Sequence, residues 1–332
     1  MRSREGREGN RPTPFFQFTR RRRMIYYRPF EASRTPVFAS SRLRVNFLAA
    51  LLLWLVSGFA GVAAATAQDS ADLRMPEIVA HRGASFDAPE NTMASIQLAW
   101  ALDADAVEFD IFLTADDEIV LFHDQNTSRI TGRDGVVEEL TLAQLRELDY
   151  GAWKAPQWRG ESIPTLRDAL ATLPEGKRFI VEAKSDVRIV EPMLEVFDEV
   201  PHHPHQFAVI AFSYDVAAET KRLRPRTPVY WLVGFEQDEQ TGEWTPSMED
   251  VVRQARAANL NGVNLSFVGP ATDGEDVALI REAGLGFYVW TVDDVDDAQR
   301  ALELGVDGLT TNRPAWMKTQ LLSRNGWRLL SP

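Results

Sequence analysis

The stretch EIVAHRGASFDAPENTMASIQLAWALDADAVEFDIFL, residues 77–113, holds the unit that decides the fold. Glu77 to Ala80 form a short, mostly apolar, β-rich run. After the segment His81 to Glu90, Asn91 can cap a helix over Thr92 to Leu102. A second apolar run, Ala106 to Leu113, closes the unit. Strand, helix, strand with nearly continuous apolar strands predicts a parallel pair, because a strand covered on both faces keeps no polar side.

The same alternation continues outward. Further strands are expected at Phe179 to Ala183, Phe207 to Phe212, Val229 to Val233, Gly262 to Phe267, Phe287 to Val292 and Gly308 to Thr311. Ile119 to Phe122 follows the second strand through a tight acidic turn, Ala115 to Glu118, and reads as a hairpin extension. Eight main strands remain. Thr141 opens a helix over Leu142 to Leu148, and Ser247 with Asp250 makes a capping box ahead of Val251 to Ala258. Asp294 opens a helix that stops at Gly305, and Pro314 suits the first turn of the last one. Eight such units in about 250 residues predict a single-domain (β/α)8 TIM barrel. Its expected span is 76–318, with a C-terminal tail over 319–332. The alternative, an open doubly wound sheet, is weakened because no Gly-rich phosphate loop follows the first strand. The hydrophilic stretch Gly234 to Thr245 reads as a long surface loop, and no linker divides the body.

Composition narrows the function. The 332 residues are 45% hydrophobic and 25% charged, an ordinary globular balance, and include no cysteine. A thiolate metal site, a cysteine nucleophile and a lipid-bearing cysteine are excluded. The formal charge of −12 hides a split. Residues 1–67 carry twelve arginines and three glutamates, while the rest carries 24 basic and 45 acidic residues. So acidic a body is a poor partner for nucleic acid or anionic lipid. The basic segment ends in an apolar run, Phe47 to Val56, and a small-residue exit in which Ala65-Thr66-Ala67 has the form of a signal-peptidase site. Cleavage after Ala67 and an exported, periplasmic or secreted protein without stable membrane contact are expected. An uncleaved anchor over Phe47 to Ala65 is the alternative.

Costly residues gather at predicted strand ends, where a barrel carries its chemistry. The first strand runs into His81-Arg82-Gly83, the hairpin arm into His123-Asp124. Glu108 and Asp110 share one face of the second strand, and Glu182 and Lys184 share one face of the third. Like charges inside an apolar run repel, and a cation is the common remedy. Three carboxylates make a hard oxygen site suited to Ca²⁺ or Mg²⁺, whereas zinc favours nitrogen and sulfur. His81 and His123 can act as general base and acid, because histidine titrates near working pH. Arg82 and Lys184 complete a cationic clamp for a phosphoryl group. Together these parts specify metal-assisted phosphodiester chemistry. Singly, each has a plain structural reading: a satisfied core histidine, or ion pairs of Arg82 and Lys184 with their neighbours. Trp290 is a candidate wall for substrate, with Trp231 and Phe212 as further candidates that serve equally well as core. His202, His203 and His205, flanked by prolines, read as a solvated loop.

The order of these motifs resembles the glycerophosphodiester phosphodiesterases. The resemblance runs from His81-Arg82-Gly83 and Pro89-Glu90-Asn91-Thr92 through Glu108-Phe109-Asp110 and His123-Asp124 with Arg129 and Thr131. It continues through Ile163-Pro164-Thr165-Leu166, Glu182-Ala183-Lys184 and Val289-Trp290-Thr291-Val292 to Gly305-Val306-Asp307-Gly308. It implies a (β/α)8 barrel of the compact kind that hydrolyses glycerophosphodiesters to sn-glycerol 3-phosphate and an alcohol. It further implies a divalent cation on Glu108, Asp110 and Glu182, acid–base work by His81 and His123, phosphate binding by Arg82 and Lys184, and a supporting role for Glu90 and Asn91. One departure stands out: the family often has Thr-Asp before the last proline, and here Thr311-Asn312-Arg313-Pro314 stands there. Two other functions fit the same residues less well: a phosphodiesterase acting on intact lipid, and a glycerophosphodiester receptor without turnover.

Overall fold

The computed structural model describes residues 73–201, 203, 205–267 and 271–327. The expected signal segment, His202 and the last five residues of the tail lie outside the described residues. Eight parallel strands appear in chain order: β1 (Glu77–Ala80), β2 (Ala106–Leu113), β3 (Arg178–Ala183), β4 (Phe207–Ala211), β5 (Val229–Val233), β6 (Gly262–Ser266), β7 (Gly286–Trp290) and β8 (Gly308–Thr311). Each pairs with the next, and β1 pairs with both β2 and β8, which closes the barrel. Ile119–Leu121 lies antiparallel on the end of β2 as the hairpin arm.

A helix returns the chain after every strand. These are α1 (Met93–Ala101), α2 (Leu166–Leu170), α3 (Val190–Glu199), α4 (Tyr214–Leu223), α5 (Met248–Ala257), α6 (Gly274–Glu282), α7 (Val295–Glu303) and α8 (Pro314–Arg324). The expected boundary at 318 falls inside α8, because Met317 and Leu321 on its inner face are fully buried. Ser247 caps α5 as expected by accepting the Asp250 amide, but the helix begins at Met248. Thr141 opens a shorter helix than expected, Leu142–Leu145. Glu236–Gln237 and Trp244–Thr245 pair as a small antiparallel ribbon within the expected surface loop. The Asn91 cap is a correction: Thr92 caps α1, its hydroxyl accepting the Ser95 amide.

Alternate residues of each strand face the barrel axis. Their apolar layer includes Val79, Ile180, Ile210, Leu232 and Tyr288. Below it, at the N-terminal strand ends, Arg178 pairs with Glu77 at 2.9 Å and the Tyr288 hydroxyl donates to Glu77 at 2.9 Å, a polar floor with its charges balanced. The opposite residues, such as Ile78, Phe109, Val181 and Val263, pack against the helices in the main core. The barrel is therefore a solid platform, and its free inward positions lie at the C-terminal ends. Among the described residues, no helix is long and apolar enough to cross a membrane.

Candidate active site

His81 extends β1 by one residue, its amide donating to the Thr311 carbonyl at 3.0 Å. The chain then turns through Arg82 and Gly83, both at positive φ (53° and 81°). A Cβ at Gly83 would lie 2.5 Å from the Ser95 backbone, so only glycine fits against α1. This turn brings Arg82 back over β2. Its amide donates to Glu108 Oε2 at 2.8 Å, its Nη1 to Glu90 at 2.9 Å, and its Nε lies 3.2 Å from Asp110 Oδ2. Asn91, also at positive φ, donates Nδ2 to Asp110 Oδ2 at 2.8 Å and accepts the Asp110 amide at 3.1 Å. A residue that reads as a helix cap is thus a brace for a site carboxylate.

Glu108, Asp110 and Glu182 are brought together. They are 2%, 1% and 9% exposed, and one oxygen from each lies within 4.8 Å of the others. Glu108 Oε1 and Asp110 Oδ1 are buried without a hydrogen-bond partner. Burial, reinforced by Asp110 and Glu182, drives the Glu108 pKa well above its usual range. Burial and Asp110 push Glu182 up to about 7 against the pull of Lys184. Burial also opposes the charge on Asp110, but Arg82 and Lys184 outweigh it and hold its pKa below normal. Lys184 Nζ bonds Glu182 Oε1 at 2.7 Å and stands 3.6 Å from Asp110 Oδ1. Crowded carboxylates with free oxygens fit a hard divalent cation, which would supply the missing partners and remove the repulsion.

The two histidines have different partners. His81 Nδ1 lies 2.8 Å from Asn312 Oδ1, and burial, aided by Arg82, lowers its pKa to about 4. The Asn312 side-chain Nδ2 in turn donates to Asp293, whose carboxylate also accepts from the Asn312 backbone N–H and the Thr311 hydroxyl at 2.8 Å each. His123 Nδ1 lies 2.6 Å from the Asp124 carboxylate. Arg129 ties Asp124 to Glu90 with bonds of 2.5 and 2.7 Å, and Glu90 leads back to Arg82. Asp293 is not among the sequence candidates; its signal is a carboxylate three residues beyond the end of β7.

Trp290 stands at the mouth, edge-to-face with half-exposed Phe212 at 5.4 Å. Phe212 lies beneath Lys184 at 5.8 Å. Trp231 does not join them: it points outward, packs on Tyr214 and donates to the Phe212 carbonyl at 3.1 Å. His203 and His205 are exposed, and the His205 carbonyl accepts from Arg178 at the opposite, N-terminal end of the barrel.

Residues 81–316 match the glycerophosphoryl diester phosphodiesterase family. A glycerophosphodiester phosphodiesterase of Bacillus subtilis is 30% identical over 252 residues, covering 71% of this chain and 83% of the relative. One from Caldanaerobacter subterraneus is 28% identical over 243 residues, covering 71% and 94%. Among solved structures, a phosphodiesterase of Oleispira antarctica in complex with the product sn-glycerol-3-phosphate superposes with a TM-score of 0.66 at 26% identity, covering 74% of this chain and 97% of that one. The matched span contains the whole strand-end cluster from His81 to Asn312, and the chain belongs to the glycerophosphoryl diester phosphodiesterase family.

Proposed function

We propose that this protein hydrolyses glycerophosphodiesters to sn-glycerol 3-phosphate and an alcohol, with a divalent cation held by Glu108, Asp110 and Glu182. The observation that carries the reading is the buried carboxylate cluster with two oxygens that accept no hydrogen bond among the described residues, flanked by Arg82, Lys184 and two histidines. When bound, the cation would neutralise charge on the phosphate oxygens and lower the pKa of a neighbouring hydroxyl. Arg82 and Lys184, fixed by the carboxylates, orient the phosphate and stabilise the charge it gains in the transition state.

Hydrogen-bond partners divide the proton transfers. Asp293 is acceptor-only, so the Asn312 amide nitrogen faces it and the Asn312 carbonyl faces His81. A carbonyl cannot donate, which puts the proton on His81 Nδ1 and leaves Nε2 with a free lone pair. Its neutral partner and lowered pKa keep the His81 ring unprotonated, so Nε2 is free to take the proton of the attacking hydroxyl as the base. The Asp124 carboxylate holds the His123 ring at Nδ1, 2.6 Å away, and fixes its orientation. With His81 as the base, His123 is the acid that protonates the departing alcohol as the P–O bond breaks. The attacker is water or the substrate's own 2-hydroxyl; trapping a cyclic phosphate in a single turnover selects the second.

Purified protein given glycerophosphocholine or glycerophosphoethanolamine should release glycerol 3-phosphate with Ca²⁺ or Mg²⁺ and stop in EDTA. Absence of release under all ions would reject the reading. The basic and apolar segment 1–67 supports an exported enzyme. N-terminal sequencing of the exported protein should begin at Gln68, and retention of residues 47–65 would mean an anchored form instead.

A further inference from the structure

Beside the carboxylates opens a cleft of about 470 Å³. Its inner wall is Glu90, Asp293 and Asn312, and its outer wall is Phe86, Trp153, Lys154 and Arg313. The acidic wall is fully engaged, Glu90 with Arg82 and Arg129, and Asp293 with Thr311 and Asn312.

Among the described residues, the cations of the outer wall have no carboxylate partner. In this acidic body the half-buried basic side chains are mostly matched by carboxylates, as for Arg82, Arg178, Lys177 and Lys184. Among the described residues, the half-buried Lys and Arg side chains without an ion-pair partner are Lys154, Lys221 and Arg313. Lys221 is surrounded by three acceptors, Pro225 O, Thr227 O and Asn261 Oδ1. Lys154 gives one bond, to the Ser85 carbonyl at 2.6 Å, and retains two N–H groups. The Arg313 guanidinium lies 3.7 Å from the Phe86 ring centre and 5.5 Å from that of Trp316. Stacking leaves its in-plane N–H edges open to a bidentate oxyanion. The aromatic faces meanwhile carry cations already: Arg313 over Phe86, and Lys154 and Arg129 over Trp153 at 5.7 and 6.0 Å. A quaternary ammonium would have to displace one of them.

The cleft adjoins both proton-transfer groups: Asn312 of its inner wall holds His81, the proposed base, and its Trp153 wall leads toward His123. Arg129, over its Trp153 wall, bonds Asp124, which holds His123, the proposed acid. Resting on the phosphodiesterase reading, we propose that this cleft receives the alcohol arm of the diester and selects an alcohol bearing a phosphate of its own, gripped by Lys154 and Arg313.

Two matched substrates test it, glycerophosphoinositol and glycerophosphoinositol 4-phosphate, with glycerophosphocholine as the cationic contrast. The ratio of kcat/KM for the 4-phosphate over glycerophosphocholine should exceed about tenfold in the native protein and fall at least about tenfold in Arg313→Gln and in Lys154→Gln. A native ratio near or below one, or equal losses on all three substrates, overturns the proposal. Calorimetric binding of inositol 4-phosphate in EDTA gives a readout without turnover. Native binding that weakens about tenfold in either variant supports the site even if no diester is cleaved, which would reject the phosphodiesterase reading alone. No binding, or binding unchanged in both variants, rejects the site while leaving that reading intact.

Discussion

Replacing Glu108 by Gln should make the metal-free protein more stable and remove most of the stabilisation that a divalent ion confers. Gln keeps the shape of the side chain and its carbonyl can still accept the Arg82 amide, a bond of 2.8 Å in the native protein. What it removes is charge. Two full charges 4.8 Å apart repel by roughly 3.5 kcal/mol at an effective dielectric of 20. Arg82 and Lys184 offset part of this, and the raised pKa of Glu108 limits the rest by proton uptake. A net gain of roughly 1–2 kcal/mol in EDTA is expected, about 2–8 °C in Tm for a domain of this size. In the native protein, ion at a hundred times its Kd should add about 2.7 kcal/mol, roughly 5–10 °C. Thermal melts by circular dichroism, in EDTA and then in excess Ca²⁺ or Mg²⁺, measure both effects without any substrate. If E108Q melts lower than the native protein in EDTA, or both proteins gain equally from the ion, the carboxylates are not a strained cation site and the reasoning fails.

The other expectations concern protons. His81→Ala and His123→Ala should each lower kcat by about 10²–10⁴ with an unchanged circular dichroism spectrum, and near-native turnover in either would remove that histidine from acid–base work. Glu182 has a folded pKa near 7 against an ordinary 4.5, so its contribution to metal-free stability is complete below about 4.5 and disappears as pH rises through 7. Melts in EDTA should therefore lose this contribution between pH 5 and 8, and ion binding should release more protons at pH 6 than at pH 8, as read by calorimetry in buffers of different ionisation enthalpy. Asp293→Asn lets the Asn312 amide turn over and present a donor to His81; kcat should fall about 10–100-fold with KM little changed, and an unaffected kcat would show that the Asp293–Asn312 pair does not set the His81 tautomer.

The barrel is legible in local sequence. Apolar runs of strand length and capped helices are local signals, and they place all eight strands within a residue or two because the hydrophobic requirement of each is met by either neighbouring layer. The same local physics marked His81, Glu108, Asp110 and Glu182, since an ionisable group at the end of an apolar strand has no ordinary reason to be there. Which of these groups meet is a matter of the closed barrel. His81 and Asn312 are 231 residues apart, and only the closure of β1 against β8 puts them 2.8 Å from each other. Asn91 was legible as a cap because Asn commonly caps helices, but the positive-φ turn carries it past that position to Asp110. Trp231 and Trp290 both stand on strands that neighbour β6, and register turns one outward to Tyr214 and the other into the mouth. Local sequence fixes which faces are apolar; register, strand closure and turn direction fix which polar groups share a few ångströms of space, and those are properties of the assembled barrel.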